Sequence, residues 1–247
     1  MHTSPGKVLD QFSNPVVKDA FVVTLKTSLA AQALILLFGT PTAYLLATRR
    51  FVGRSAAITL VELPLVLPPA VAGIGLLTAL GRYGLLGSSL HALGVSLPFT
   101  QSAVTVAVAY VASPLYIRQA IAAFEATDPR LAAASRTLGA GPARTFFRVV
   151  LPLARGGLIA GLALSFARGL GEFGATIMFA GSLQGVTQTL SLAIYYEFDQ
   201  SFNATLAMSG VLVLISALLL LTLRIALSWQ RSPSSESRSL FGLSSSG

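Results

Sequence analysis

Five long apolar runs, at 21–47, 56–80, 98–117, 149–180 and 204–228, alternate with shorter stretches in which arginine, proline, glycine and serine gather. A helix rises about 1.5 Å per residue and bilayer hydrocarbon is about 30 Å thick, so roughly 20 mainly apolar residues suffice to cross it. Each run therefore predicts a transmembrane helix. The fourth is long enough to tilt, break or extend past the membrane surface. Pro64, Pro68 and Pro69 remove three backbone donors from the second, which must kink and find partners for the freed carbonyls. The expected fold is an all-α polytopic membrane protein with five transmembrane helices.

Composition agrees. Of the 247 residues 53% are apolar and 11% charged, with a mean hydropathy of +0.73, which leaves too little polar surface for a soluble domain of this size. With no cysteine and only His2 and His91, a disulfide framework, a thiolate or multi-histidine metal centre and a cysteine nucleophile are excluded. The net charge of +8 would suggest nucleic acid in a soluble chain. Here the arginines cluster between apolar runs, without a basic groove of interleaved aromatics, so no nucleic-acid partner is expected. Arg49, Arg50 and Arg54 follow the first run; Arg118, Arg130, Arg136, Arg144 and Arg148 occupy 118–148; Arg224, Arg231 and Arg238 mark the C-terminal end. The alternate linkers hold only Arg82 in 81–97 and no basic residue in 181–203.

Positive charge favours the cytoplasmic side, so 48–55, 118–148 and the C-terminus are expected in the cytosol and the N-terminus outside. Lys7, Lys18 and Lys26 are the dissent. Residues 1–19 show neither a continuous apolar core nor a small-residue cleavage site, so the first hydrophobic segment is expected to be retained. The division that follows is an extracytoplasmic segment at 1–20, a transmembrane domain at 21–228 with its cytoplasmic loop at 118–148, and a flexible serine-rich cytoplasmic tail at 229–247.

The loop at 118–148 is too long for a turn and carries helix signals of its own. Asp128 can cap, Pro129 suits the first helical position, Leu131, Ala134, Ser135 and Leu138 share a face, and Gly139 can end the helix in the left-handed conformation. That makes a helix of about ten residues, roughly 15 Å long. After Gly141 and Pro142 a second short amphipathic piece, ARTFFRVV, leads to Leu151-Pro152. Such a segment either lies on lipid or docks a cytosolic partner.

The stretch AASRTLGAGPARTFFRVVLPL resembles the cytoplasmic loop of ABC importer permeases, whose pattern is Glu-Ala-Ala, three residues, Gly, nine residues, then Ile-x-Leu-Pro. Ala134 and Ser135 take the paired small positions, Gly139 the glycine, and Val149, Leu151 and Pro152 the closing set, while Ala133 stands where the pattern has Glu. The resemblance implies a type I importer permease fold with coupling helices that sit in a cleft of a separate ATPase. Asp128, Arg130, Leu131, Ala134, Ser135, Arg136, Thr137, Leu138, Gly139 and Pro142 would form that contact. Further, PLVLPPAVAG (64–73), RTLGAG (136–141), FARGLGEFGATIMFAG (166–181) and TQTLSLAIY (187–195) together resemble the molybdate permeases of that superfamily. Sulfate permeases, the next by resemblance, tend to have Tyr at the position of Phe173.

Within the fourth run, Arg168 and Glu172 are ionisable residues that would each cost a few kcal/mol at the bilayer centre. Their i, i+4 spacing lets them neutralise each other. They form either an ion pair that steadies the bundle or part of a gate in which Gly171, Phe173, Gly174 and the hydroxyl of Thr176 share. Gly169, Gly171 and Gly174 also spell the dinucleotide fingerprint, but without a preceding strand, and small residues here instead let helices approach or unwind. Gly157 and Gly161 form a further helix-packing pair. No P-loop, nucleophile elbow or zinc-protease motif occurs.

The resemblance thus implies a non-enzymatic permease subunit of an inner-membrane importer for molybdate or tungstate. It would work as a homodimer with ABC ATPase subunits that bind ATP and Mg, and with an extracytoplasmic oxyanion-binding protein; the chain itself would carry no cofactor and no metal. A sulfate or thiosulfate permease and an ion-coupled secondary transporter are the alternatives.

Overall fold

The structure is a computed structural model and describes residues 5–229, all of whose regular elements are helical. In chain order they are α1 (Pro5–Asp10), α2 (Pro15–Thr48), α3 (Arg54–Val66), α4 (Pro69–Leu80), α5 (Gly87–Ala92), α6 (Gln101–Glu125), α7 (Pro129–Thr137), α8 (Pro142–Leu170), α9 (Gly174–Ala180), α10 (Leu190–Glu197) and α11 (Phe202–Trp229). Four of these helices are long and apolar enough to cross a membrane on their own, and α3 with α4 makes a fifth if the bent pair is one span. The serine-rich tail lies outside the described residues.

Proline decides where the helices stay whole and where they break. In α2 and α8 one turn is widened to π geometry, at Ile35–Gly39 and Phe146–Val150. Each turn contains the carbonyl that a proline four residues later would strike, Leu37 for Pro41 and Arg148 for Pro152. The wider turn absorbs the ring and the helix continues. The second amphipathic piece expected at ARTFFRVV is therefore the opening of the fourth spanning helix and not a separate element. In α6 the carbonyl freed by Pro114 is that of Tyr110, and the Ser113 hydroxyl donates to it at 3.2 Å.

The second apolar run departs furthest from expectation. Pro64 is accommodated inside α3, but Leu67 and Pro68 are both extended, at ψ 135° and 132°, and α4 leaves at 117° to α3. A residue before proline is driven out of the helical region. Two prolines in succession apply that restriction to two residues running, so a break replaces the kink expected over 56–80. The third helix also differs, running on to Glu125 instead of stopping near 117.

α6 is the central post, packed by α2, α3, α8 and α9. Its junction with α8 rests on small residues one turn apart. A Cβ on Gly157 would run into Ala123, one on Gly161 would lie 2.9 Å from Gln119 Cβ, and one on Gly169 would lie 2.8 Å from Val108 Cγ1. The packing pair expected at Gly157 and Gly161 is thus a close approach to α6. Between them and Gly169, Ser165 donates to Gln32 Oε1 of α2 at 2.9 Å, fully buried. Replacing Gly161 by valine is expected to lower the stability of the detergent-solubilised protein by about 1–3 kcal/mol through overpacking, read as a lower thermal midpoint.

Candidate functional site

Two places bring the sequence-predicted residues together. The first is α7, which stands off the end of the bundle with no buried residue. Its bounds follow from local chemistry. Asp128 is extended and its carboxylate accepts from the Arg130 N–H at 2.8 Å, Pro129 opens the helix, and Gly139 closes it at φ +85°. The N–H of Ala140 bonds back to Ser135 C=O at 3.1 Å, and that of Gly139 to Arg136 C=O at 3.0 Å.

The face read from the sequence divides. Ser135 turns inward and its hydroxyl meets that of buried Thr145 at 3.2 Å, with half-buried Ala132 beside it. Leu131, Ala134 and Leu138 face away, and Leu138 is 89% exposed. Arg130, Arg136, Thr137 and Pro142 are exposed as well. At the base of α7 a cavity of about 920 Å³ carries Arg49, Arg50, Arg54 and Arg136 on its wall, together with Ala133. A carboxylate at 133 would stand among these arginines. Arg54 is tied down, its Nε donating to Leu46 C=O at 2.6 Å and its Nη2 to Glu125 Oε1 at 2.7 Å. The arginine loop after α2 and the arginines of α7 thereby share one end of the bundle.

The second place is the break between α8 and α9. Glu172 is buried, with its side chain 1% exposed, and both carboxylate oxygens are committed: Oε2 accepts from Arg168 Nη1 at 2.8 Å and Oε1 from the Ala175 N–H at 2.8 Å. One side chain thus neutralises a cation at the end of α8 and satisfies a first-turn donor of α9. Gly171 is exposed at the turn and Phe173 packs against Tyr195 of α10, with ring centroids 5.2 Å apart and planes tilted by 54°. Together with Ser191, Tyr196, Phe198 and Asp199 these aromatics line an open cavity of about 510 Å³. Thr176 is fully buried, so in this conformation its hydroxyl lies inside the packing and not along an open surface.

Some of the site escaped the sequence reading. Gly174 sits where a Cβ would lie 2.7 Å from Pro69 Cβ, and Gly73 where one would lie 2.6 Å from Ala175 C=O, so the proline segment braces the break in the fourth span. Only the proximity of Pro69 to Gly73 hinted at a close approach. Tyr195 closed one of the segments that carried the resemblance, yet nothing in its spacing tied it to Phe173. Glu62 pairs with Arg118 at 3.2 Å, a contact between distant positions that no local pattern announces.

A bundle of membrane-length helices, a fourth span broken at a half-buried ion pair and an exposed helix held off one end define a polytopic membrane protein. The chain belongs to the family of binding-protein-dependent transport system inner membrane components, whose sequence profile matches residues 36–231. It is 42% identical over 209 residues to the molybdenum transport system permease protein ModB of Mycobacterium tuberculosis, covering 85% of this chain and 79% of that one. With the sulfate transport system permease protein CysT of Salmonella typhimurium it shares 37% over 217 residues, 87% of this chain and 78% of the relative. Among solved structures, the inward-facing MetNI methionine ABC transporter aligns with a TM-score of 0.64 at 19% identity, over 86% of this chain and 95% of that one. At that identity the likeness is one of fold, that of a type I ABC importer permease.

Proposed function

We propose that this chain is the membrane subunit of an ATP-driven importer of molybdate, with tungstate as a second substrate. It works as a homodimer with two ATPase subunits and an extracytoplasmic binding protein. The observation that carries the coupling is α7, an exposed helix with outward leucines fixed to the span that contains the break at Glu172. ATP-driven closure of the ATPases draws the two copies of α7 together, α8 transmits that movement, and the paired pore halves exchange inward-open for outward-open. Asp128, Arg130, Leu131, Ala134, Ser135, Arg136, Thr137, Leu138, Gly139 and Pro142 make or shape the contact with the ATPase. Arg168, Gly171, Glu172, Phe173, Gly174 and Thr176 form the gate region or hold it.

The shared end of the arginine loop and α7 supports a cytosolic placement of both, with the N-terminus outside. The choice of molybdate follows the higher identity to a molybdenum permease than to a sulfate one. ATP and Mg belong to the partner subunits. Uptake of labelled molybdate into proteoliposomes holding the whole complex, challenged with tungstate and sulfate, tests the assignment: tungstate is expected to compete strongly and sulfate weakly. Uptake that persists without the ATPase would favour an ion-coupled transporter, and equal competition by sulfate a sulfate permease.

A further inference from the structure

Two ion pairs join α3 to α6 in opposite sense. Arg54 of α3 meets Glu125 of α6 at 2.7 Å, and Glu62 of α3 meets Arg118 of α6 at 3.2 Å. The helices therefore run antiparallel, and the second pair lies about 10 Å along α6 from the first at about 1.5 Å per residue. That position is inside the apolar length of α6, toward the end where α7 lies.

The inner pair is unlike the one at Glu172. Arg118 is 61% exposed and Glu62 36%. An ionised side chain facing hydrocarbon costs about 2.5–3.5 kcal/mol on insertion scales, so such residues face a water-filled cavity or another protein surface. The nearest approach to Glu62 is from Nε, and among the described residues Arg118 makes no hydrogen bond through Nη1 or Nη2. A guanidinium with its fork open suits a tetrahedral oxyanion, which it binds with two parallel N–H donors.

Resting on the importer reading above, we propose that Arg118 is a transient binding site for the transported oxyanion in the inner half of the pathway, with Glu62 as its counter-charge. The carboxylate keeps the local charge near neutral, so the anion is passed on and not trapped. Tight sites slow conduction, and a compensated arginine gives a shallow one. The pair at Arg168 and Glu172 is more enclosed: the Arg168 side chain is 32% exposed and its Nη1 already donates to Glu172 at 2.8 Å.

The chain contains no cysteine, so a single introduced thiol reports without background. Ala122 lies one turn from Arg118 on α6 and is exposed. In the assembled complex, the thiol of Ala122→Cys is modified with a sulfonate-bearing reagent and with a neutral one of the same size. The ratio of the two rates is expected to fall at least about fivefold when Arg118→Gln is added, and to be held by Arg118→Lys, as a local cation would dictate. An unchanged ratio, or a thiol unreactive to both reagents, overturns the proposal. Molybdate uptake is expected to fall about tenfold both in Arg118→Gln and in the double variant Arg118→Gln with Glu62→Gln, since a merely structural ion pair is relieved when both charges go. Recovery in the double variant overturns it too. If the wild-type complex moves no molybdate while the rate ratio behaves as stated, the substrate assignment falls and the anion site stands.

Discussion

Replacing Gly139 with valine is expected to uncouple ATP hydrolysis from transport, with uptake down at least tenfold and little change in the thermal stability of the bundle. Gly139 sits at φ +85°, and a Cβ there would meet nothing within 4 Å. The effect is therefore one of backbone and not of collision. An L-residue held in the left-handed region costs roughly 1–2 kcal/mol, and a β-branched one more. The last turn of α7 relieves that strain by giving up the bonds from Gly139 and Ala140 back to Arg136 and Ser135, which moves Leu138. Because α7 buries no residue, the bundle does not register the loss. A docking surface does, since 1.4 kcal/mol is a tenfold change in association. Asparagine tolerates the left-handed region, so Gly139→Asn is expected to stay within about twofold of wild-type uptake. Parallel measurement of uptake and ATP hydrolysis in proteoliposomes checks both variants. Normal transport by the valine variant would remove the basis for assigning α7 to coupling.

α7 was legible because its signals are local: Asp128, Pro129 and Gly139 act on their own neighbours, and the helix begins and ends where they place it. The places of the apolar helices were legible for a similar reason, since the length of an apolar run answers to bilayer thickness: four runs hold a helix long enough to cross, and the second holds the bent pair α3 and α4. The fifth run, 204–228, lies within α11 with little to spare. What failed to show was whatever depends on a partner far along the chain. Arg118 ends the third predicted span because a charge reads as a boundary, yet the helix runs on to Glu125 and Arg118 pairs with Glu62 of α3. Ser135 was placed with Leu131 and Leu138 by helical period, but Thr145 on the next helix draws it inward. Prolines gave mixed information. Pro41 and Pro152 leave their helices continuous through a widened turn, whereas Pro68 and Pro69 break theirs, and only the doubling separates the two cases in the sequence.

The variant Glu172→Ala is expected to lose both stability and transport, and a second variant separates the two. Removing the carboxylate leaves the Ala175 N–H buried without an acceptor, at about 1–3 kcal/mol. It also strips Arg168 of its counter-charge. A fully buried broken pair costs about 3–5 kcal/mol, but the Arg168 side chain is 32% exposed, so a smaller share applies. A total of about 3 kcal/mol lowers the thermal midpoint by roughly 6–12 °C for a chain of this size. Glu172→Gln keeps an oxygen for Ala175 and is expected to lose less. Combining Glu172→Gln with Arg168→Met removes both charges while retaining that acceptor, and its midpoint is expected to return to within about 1 kcal/mol of wild type. If the pair only steadied the bundle, uptake would return with it. As a gate element, the Arg168–Glu172 pair also fixes the angle between α8 and α9, and with it the position of Phe173 against Tyr195. Uptake is therefore expected to stay at least about tenfold down in the stable double variant, the size of effect that misplacing a positioned group produces.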